Sequence, residues 1–159
     1  MKFFFILIAV FLGSTNPDLG TIRAHFKVAN NSKEKANAFY ELFSEEPAAS
    51  ALVEAYRGAA ITLKAKNSSD LLHKKKYATE GLTILEKSIA KEPKNVEMRL
   101  IRLSIQEHAP KILKYNSNIQ EDRKMIVEGY KKESKAVKDL IKDYSLQSKV
   151  FSDTEKQNF

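Results

Sequence analysis

Apolar residues recur along most of the chain at spacings of three and four, the period of a helix that is buried on one side. Their stripes begin near Ile22, Ala36, Leu52, Ala78, Val96, Ile119 and Ala136. No segment alternates apolar and polar residues over more than a few positions, as a half-buried strand does. The pattern therefore predicts an all-α chain of six or seven helices.

The fifth of these predicted helices, VEMRLIRLSIQEH, has two apolar faces. One face carries Val96, Leu100 and Leu103, and the other carries Met98, Ile101 and Ile105. A helix that is apolar on two sides packs between two neighbours. We therefore expect this helix to be covered by other helices on both of these faces.

Short polar stops separate the stripes. Pro93 cannot continue the fourth helix, and Asn95 is a good N-cap for the fifth. Ser117-x-x-Gln120 fits a capping box at the start of the sixth helix. Helices joined by such short stops indicate antiparallel helical hairpins.

The stretch GLTILEKSIAKEPKN, residues 81–95, resembles the second helix of a tetratricopeptide repeat and the turn that follows it. In that family a small residue, a bulky apolar residue, a second small residue and a proline follow at offsets of four, three and five. These positions are Gly81, Leu85, Ser88 and Pro93 here, and Gly58 matches the small residue of the preceding helix. Glu54 stands where the family has an aromatic residue. The resemblance is partial and covers about residues 36–107.

The resemblance implies a stacked array of hairpins that serves as a scaffold for protein contacts and has no catalytic function. The small residues let the two helices of a hairpin cross closely, and Leu85 fills the seam between them. Gly58 and Gly81 are separated by 81 − 58 = 23 positions, against about a dozen in the family. We therefore expect a long loop around Lys64 to Lys75.

The N-terminus has the pattern of a signal peptide, which we assign to residues 1–20. Lys2 precedes an unbroken apolar run over residues 3–12, and small residues follow. Such a run falls short of the roughly 20 residues that a membrane-spanning helix needs, so cleavage is favoured over a permanent anchor. We expect a secreted or periplasmic protein without a membrane span. The mature chain is expected to comprise a tetratricopeptide-repeat-like (TPR-like) helical domain at 21–145 and a tail or short helix at 146–159. In that tail, Ser152-x-x-Glu155 fits a capping box.

Charge and cysteine content limit the classes of function. The chain has 27 Lys and Arg against 20 Asp and Glu, and it has no cysteine. The absence of cysteine excludes disulfide scaffolds and thiol chemistry. The basic excess favours acidic partners, but the lysines alternate with acids, whereas a nucleic-acid domain concentrates them on one face. We expect no nucleic-acid binding.

The sequence carries no recognisable catalytic or metal site. None of His25, His73 and His108 has a second ligand type four residues on, as a metal site on one helix face requires. No nucleophile elbow, P-loop or dinucleotide fingerprint is present. Glu121 and Asp122 are adjacent and point about 100° apart on a helix, so we assign them to complementing the helix dipole. We predict no catalytic residue, cofactor or metal.

Two segments are candidate partner-binding sites. The densest basic patch comprises Lys64, Lys66, Lys74, Lys75 and Lys76. The second candidate is Tyr115 with Asn116, in the loop after the fifth helix. Each segment also has a purely structural explanation. The lysines could simply belong to a solvated loop and the start of a helix, and Tyr115 with Asn116 could serve in capping and packing.

We predict an exported, non-enzymatic scaffold that binds another protein through the groove of its hairpins or through the basic segment. The alternative is a basic module for anionic lipid or polysaccharide. The two hypotheses differ in their response to salt. Binding to an anionic surface weakens steeply as salt rises, whereas an apolar groove contact hardly changes.

Overall fold

The computed structural model describes residues 17–43, 48 and 50–159. Within these residues there are eight α-helices and no strand: α1 (Leu19–Val28), α2 (Lys33–Tyr40), α3 (Ala51–Asn67), α4 (Leu71–Lys91), α5 (Val96–His108), α6 (Ile119–Gly129), α7 (Lys135–Gln147) and α8 (Asp153–Asn158). Single 3₁₀ turns follow α5, at Lys111–Leu113, and α6, at Tyr130–Lys132. The all-α prediction is confirmed. The apolar run assigned to the signal peptide lies outside the described residues.

Side-chain caps define most of the helix starts. Six helices begin with a side chain that accepts a hydrogen bond from a first-turn N–H: Asp18, Ser32, Asp70, Asn95, Ser134 and Ser152. The predicted Asn95 cap and the capping box of Ser152 with Glu155 are confirmed. The box predicted at Ser117 is wrong, because the Ser117 hydroxyl donates to the Asn118 side chain at 3.0 Å and α6 starts one residue later.

Helices α3 and α4 form an antiparallel hairpin that crosses at two glycines. A Cβ atom built on Gly58 would lie 2.7 Å from the carbonyl oxygen of Gly81. Leu85, one turn further along α4, is fully buried, and Ser88 is buried after it. The helix ends at Lys91, two residues before Pro93. The backbones therefore touch at the crossing, and Leu85 fills the space beside it.

The long loop expected around Lys64 to Lys75 is wrong. Helix α3 continues to Asn67 and α4 begins at Leu71, so residues 68–70 alone join them. No glycine or proline interrupts residues 59–67, and Asp70 caps the next helix by accepting from the His73 N–H at 3.0 Å. The residues that separate Gly58 from Gly81 beyond the family spacing therefore lengthen α3 and α4 past their crossing and do not form a loop.

Helix α5 lies between two hydrophobic clusters, as its two apolar faces predict. Met98 and Ile101 belong to a cluster formed with α1 to α4, which includes the buried Tyr56 and Leu85. On the other side, Val96, Leu100 and Leu103 pack with residues of α6, α7 and the C-terminal segment, including Ile126, Ile141 and Phe151. The prediction for α5 is confirmed.

Candidate functional site

The five lysines of the predicted basic segment lie on helices rather than in a loop. Lys64 and Lys66 lie near the end of α3, and Lys74, Lys75 and Lys76 lie in the first two turns of α4. The last three are exposed. Lys66 donates to the Asn30 side chain at 2.6 Å. All five therefore belong to the end of the α3/α4 hairpin that is remote from the glycine crossing.

A cleft of about 290 Å³ opens between α2, the end of α3 and the start of α4. Its lining consists of Lys33, Asn37, Lys64, Asn67, Ser68, His73 and Tyr77. Lys33 and Asn37 are four residues apart on α2, as are His73 and Tyr77 on α4, so each pair shares a helix face. Three helices thus direct hydrogen-bond donors and one aromatic ring into the same space.

Lys64 is held over two aromatic rings. Its Nζ atom lies 3.7 Å from the ring centroid of Tyr40 and 5.0 Å from that of Tyr77. Such cation–π contacts orient an ammonium group without supplying a hydrogen-bond acceptor. None of the ion pairs between described residues uses Lys33 or Lys64. The Lys64 side chain is thus positioned to donate to an acidic ligand.

His73 is fixed at the edge of the cleft by Asp70. Its Nδ1 atom lies 2.5 Å from Oδ2 of Asp70, and its ring stacks on Tyr77 at a centroid distance of 6.2 Å. The backbone hydrogen bond from His73 lowers the pKa of Asp70, so this carboxylate is ionised at neutral pH. Ser68 donates to the backbone carbonyl of Asp70 at 3.3 Å. The cleft therefore has an Asp–His pair, but its serine is not hydrogen-bonded to the histidine.

Comparison with protein families, curated proteins and solved structures gives no match. The function of the site therefore has to follow from its own geometry.

Within the residues that the structure describes, no cluster of His, Asp or Glu could hold a metal ion. In the same residues, no helix has the length and apolar character needed to cross a membrane.

The second predicted site separates into a half-buried residue, Tyr115, and an exposed one, Asn116. The hydroxyl of Tyr115 donates to the Glu86 carboxylate of α4. Burial and the neighbouring Glu86 carboxylate raise the pKa of Tyr115 above its ordinary value, so the phenol stays protonated. Tyr115 anchors its loop to α4, whereas Asn116 is exposed. Of the pair, Asn116 is the one whose side chain is exposed to solvent.

A buried ion network joins α5 to α6. Asp122 is fully buried. Arg102 donates to both of its oxygens at 2.6 and 2.7 Å, and Arg99 donates to it at 3.1 Å. Arg102 also reaches Glu86 of α4 at 3.0 Å. Asp122 lies in the first turn of α6, as predicted, and its carboxylate is in addition the common acceptor of two buried arginines, a role that the sequence prediction does not include.

A second network joins α1, α3 and α5. Arg23 donates to the two carboxylate oxygens of Glu97 at 2.6 and 2.7 Å, and the Tyr56 hydroxyl donates to Glu97 at 2.6 Å. Glu97 and Tyr56 are buried. Burial is the largest cause that raises the pKa of Tyr56, followed by the charge of Glu97. Like the first network, this one holds helices together and does not line the cleft between α2, α3 and α4.

Proposed function

We propose that the chain is a non-enzymatic helical scaffold that binds an acidic segment of another protein in the cleft between α2, α3 and α4. One observation carries the proposal: Lys33, Lys64 and His73 converge from three helices on one open cleft. Ammonium groups and side-chain amides donate well to carboxylates, and charged donors make the stronger hydrogen bonds. Aspartate and glutamate side chains of an extended segment fit this set of donors.

The geometry of the cleft favours binding over catalysis. Nucleophilic catalysis by serine needs a hydroxyl within hydrogen-bond reach of a base that is itself oriented. Asp70 orients His73, but the Ser68 hydroxyl donates to a backbone carbonyl instead. The buried carboxylates of Glu97 and Asp122 are bound by arginines that join helices. These contacts support a scaffold whose charged groups hold the fold and whose cleft holds a ligand.

The hairpin crossing also supports this proposal. The backbone contact of Gly58 with Gly81, with Leu85 buried beside it, has the form that a helical repeat requires. Helical repeats present side chains of adjacent helices on an extended surface that suits protein segments. We further propose export to a secreted or periplasmic location, which the apolar run of residues 3–12 supports. Mass spectrometry of the protein recovered from its host would show an N-terminus between residues 13 and 21 if that signal is cleaved.

A random peptide display library panned against the full chain tests the cleft. Enriched peptides should carry clustered Asp and Glu, and Lys64→Glu should abolish their binding because it reverses a charge inside the cleft. Lys132→Glu makes the same change at an exposed lysine outside the cleft and should leave binding intact. Circular dichroism would check that both variants fold.

Two results would overturn the proposed function. One is recovery of the same peptides by wild type and by Lys64→Glu. The other is a robust hydrolase or transferase activity of the purified chain that a single substitution removes.

A further inference from the structure

Exposed aliphatic side chains are concentrated in two short segments. Among the described residues, the exposed large hydrophobic side chains are Leu71, Leu72, Ile112, Leu113 and Leu146, at 76%, 79%, 88%, 47% and 72% exposure. Four of these five form two adjacent pairs. One pair begins α4, and the other lies in the 3₁₀ turn after α5. Scattered exposed leucines are ordinary, but two such pairs need an explanation.

Both pairs lie at the same end of the helix stack. Residues 92–95 join α4 to α5, and Arg102 of α5 reaches back to Glu86 of α4, so these two helices run antiparallel. Helix α4 runs antiparallel to α3, and residues 68–70 join the two at the end where α4 begins. Helices α3 and α5 therefore finish where α4 starts. The turn that carries Ile112 and Leu113 follows α5 directly, before the loop returns along α4 to Glu86 through Tyr115.

The same end carries a concentration of positive charge, and we call it the basic end. It comprises the two aliphatic pairs and the exposed lysines Lys66, Lys74, Lys75, Lys76, Lys111 and Lys114. Lys111 and Lys114 flank the Ile112–Leu113 pair directly. The nearest carboxylate to the Leu71–Leu72 pair in the sequence, Asp70, is bound by His73. Aliphatic tips surrounded by lysines therefore define this end.

We propose that the basic end docks on an anionic lipid bilayer, with the two aliphatic pairs entering the boundary between head groups and acyl chains. Apolar residues flanked by lysines suit that boundary, because lysine stems lie along apolar surface while their ammonium groups reach lipid phosphates. The two pairs project from separate elements. A bilayer accepts both without a matched shape, whereas a protein partner would need a complementary surface for each. An anionic polysaccharide would use the lysines but not the exposed leucines.

This proposal is independent of the cleft, because it uses different side chains. The basic end excludes Lys33, Asn37, Lys64 and Tyr77, which line the cleft. Lys64→Glu should therefore abolish peptide binding but weaken lipid binding much less than reversal of Lys75 and Lys76 does. Loss of peptide binding and loss of lipid binding can therefore be measured separately, so that either proposal can fail while the other holds.

Single-tryptophan reporters test the docking, since the chain contains no tryptophan. Leu72→Trp, Ile112→Trp and Ala90→Trp, the last at the exposed far end of α4, would each be made in the full chain and mixed with vesicles of phosphatidylglycerol and phosphatidylcholine, or of phosphatidylcholine alone. With the anionic vesicles, emission at positions 72 and 112 should move to shorter wavelength and be quenched by brominated acyl chains. The reporter at position 90 should not respond. Because all three proteins share residues 1–16, binding through the N-terminal apolar run alone would leave positions 72 and 112 in water and would overturn the proposal.

A charge-reversal pair tests the lysines. Lys75→Glu with Lys76→Glu, in the position-72 reporter, should weaken vesicle binding by about tenfold or more, and high salt should act in the same direction. Lys131→Glu with Lys132→Glu makes an equal charge change at the opposite end and should have a much smaller effect. If the two double variants lose the same amount of vesicle binding, or if the protein binds equally well to vesicles of phosphatidylcholine alone, the basic end is not a specific docking site. An acidic peptide that protects position 72 in place of vesicles would assign this end to a protein instead.

Discussion

Gly58 and Gly81 are in backbone contact where α3 crosses α4. A Cβ atom on Gly81 would lie 2.5 Å from the Gly58 carbonyl oxygen and 2.7 Å from the Thr62 amide nitrogen. Both of these atoms belong to the backbone of α3, so no side-chain rotation can make room. The closeness of the two helices therefore depends on the absence of side chains at this crossing.

Gly81→Ala should destabilise the fold even though alanine favours helices. The gain in helix propensity is about 1 kcal/mol, whereas forcing two packed helices apart costs about 1 to 3 kcal/mol and more when backbone must move. We expect a net loss of about 2 kcal/mol in the free energy of unfolding, measured by urea denaturation. Lys87→Ala, on the exposed face of the same helix, should change it by less than about 0.5 kcal/mol. Equal stabilities of wild type and Gly81→Ala would show that the crossing is looser than described.

Leu85→Asp should destabilise the hairpin strongly. Leu85 is fully buried in the first cluster, so aspartate would place an unpaired carboxylate there, at a cost of several kcal/mol, about 3 to 5. Leu72→Asp makes the same substitution at an exposed position of the same helix and should leave the melting temperature nearly unchanged. A melting curve of Leu85→Asp that matches wild type would remove the repeat-like assignment of this helix.

Asp122→Asn should be among the most destabilising neutralisations in the chain. It would remove the buried charge that Arg102 and Arg99 share and turn an amide N–H toward a guanidinium group, and breaking a buried pair in this way costs about 3 to 5 kcal/mol. Asp139→Asn removes the partner of Lys135 in an exposed pair whose charges are screened by solvent, so it should cost far less than Asp122→Asn. Chemical denaturation of the two variants would compare them. Similar losses would mean that Asp122 is more hydrated than its burial indicates.

Glu107 should make the stability depend on pH in the acidic range. Burial raises the pKa of Glu107, but hydrogen bonds from Tyr144, Ser148 and the Lys149 N–H outweigh it, and the net pKa in the folded state is lowered. A carboxylate whose pKa is lower in the folded state stabilises the fold above its unfolded pKa of about 4.3, and this contribution is lost as pH falls through the folded pKa.

The comparison of wild type with Glu107→Gln isolates this contribution. The difference in their free energies of unfolding should be largest near neutral pH and should shrink as pH falls below about 4. Urea denaturation at several pH values would measure it. A difference that stays constant with pH would show that the hydrogen bonds act without the charge.

Part of the fold could be predicted from the sequence because it depends on local periodicity. The two apolar faces of α5 appear directly in the spacing of Val96, Leu100, Met98 and Ile101, and the structure places each face in its own cluster. The close crossing of α3 and α4 follows from glycines in two long helical segments. The family spacing predicts a loop around Lys64, and this prediction fails because residues 59–67 have the helix propensity to continue α3.

The remaining features depend on tertiary contacts that no local pattern encodes. Lys33 and Lys64 meet in the cleft although 31 positions separate them. The network around Asp122 did leave a signal, since Arg99 and Arg102 are charged residues within a helix that is apolar on two sides. Buried arginines require buried acceptors, and their presence in α5 predicts an acid on a neighbouring helix.

The central claim, that the cleft between α2, α3 and α4 binds acidic protein segments, is tested most directly by nuclear magnetic resonance. Amide shifts of the ¹⁵N-labelled chain would be followed during titration with a hexaglutamate peptide. The account predicts shifts that saturate together at Lys33, Asn37, Lys64, Asn67 and His73, and that disappear in Lys64→Glu. Shifts that never saturate, or that appear equally at Lys131 and Lys132, would contradict it.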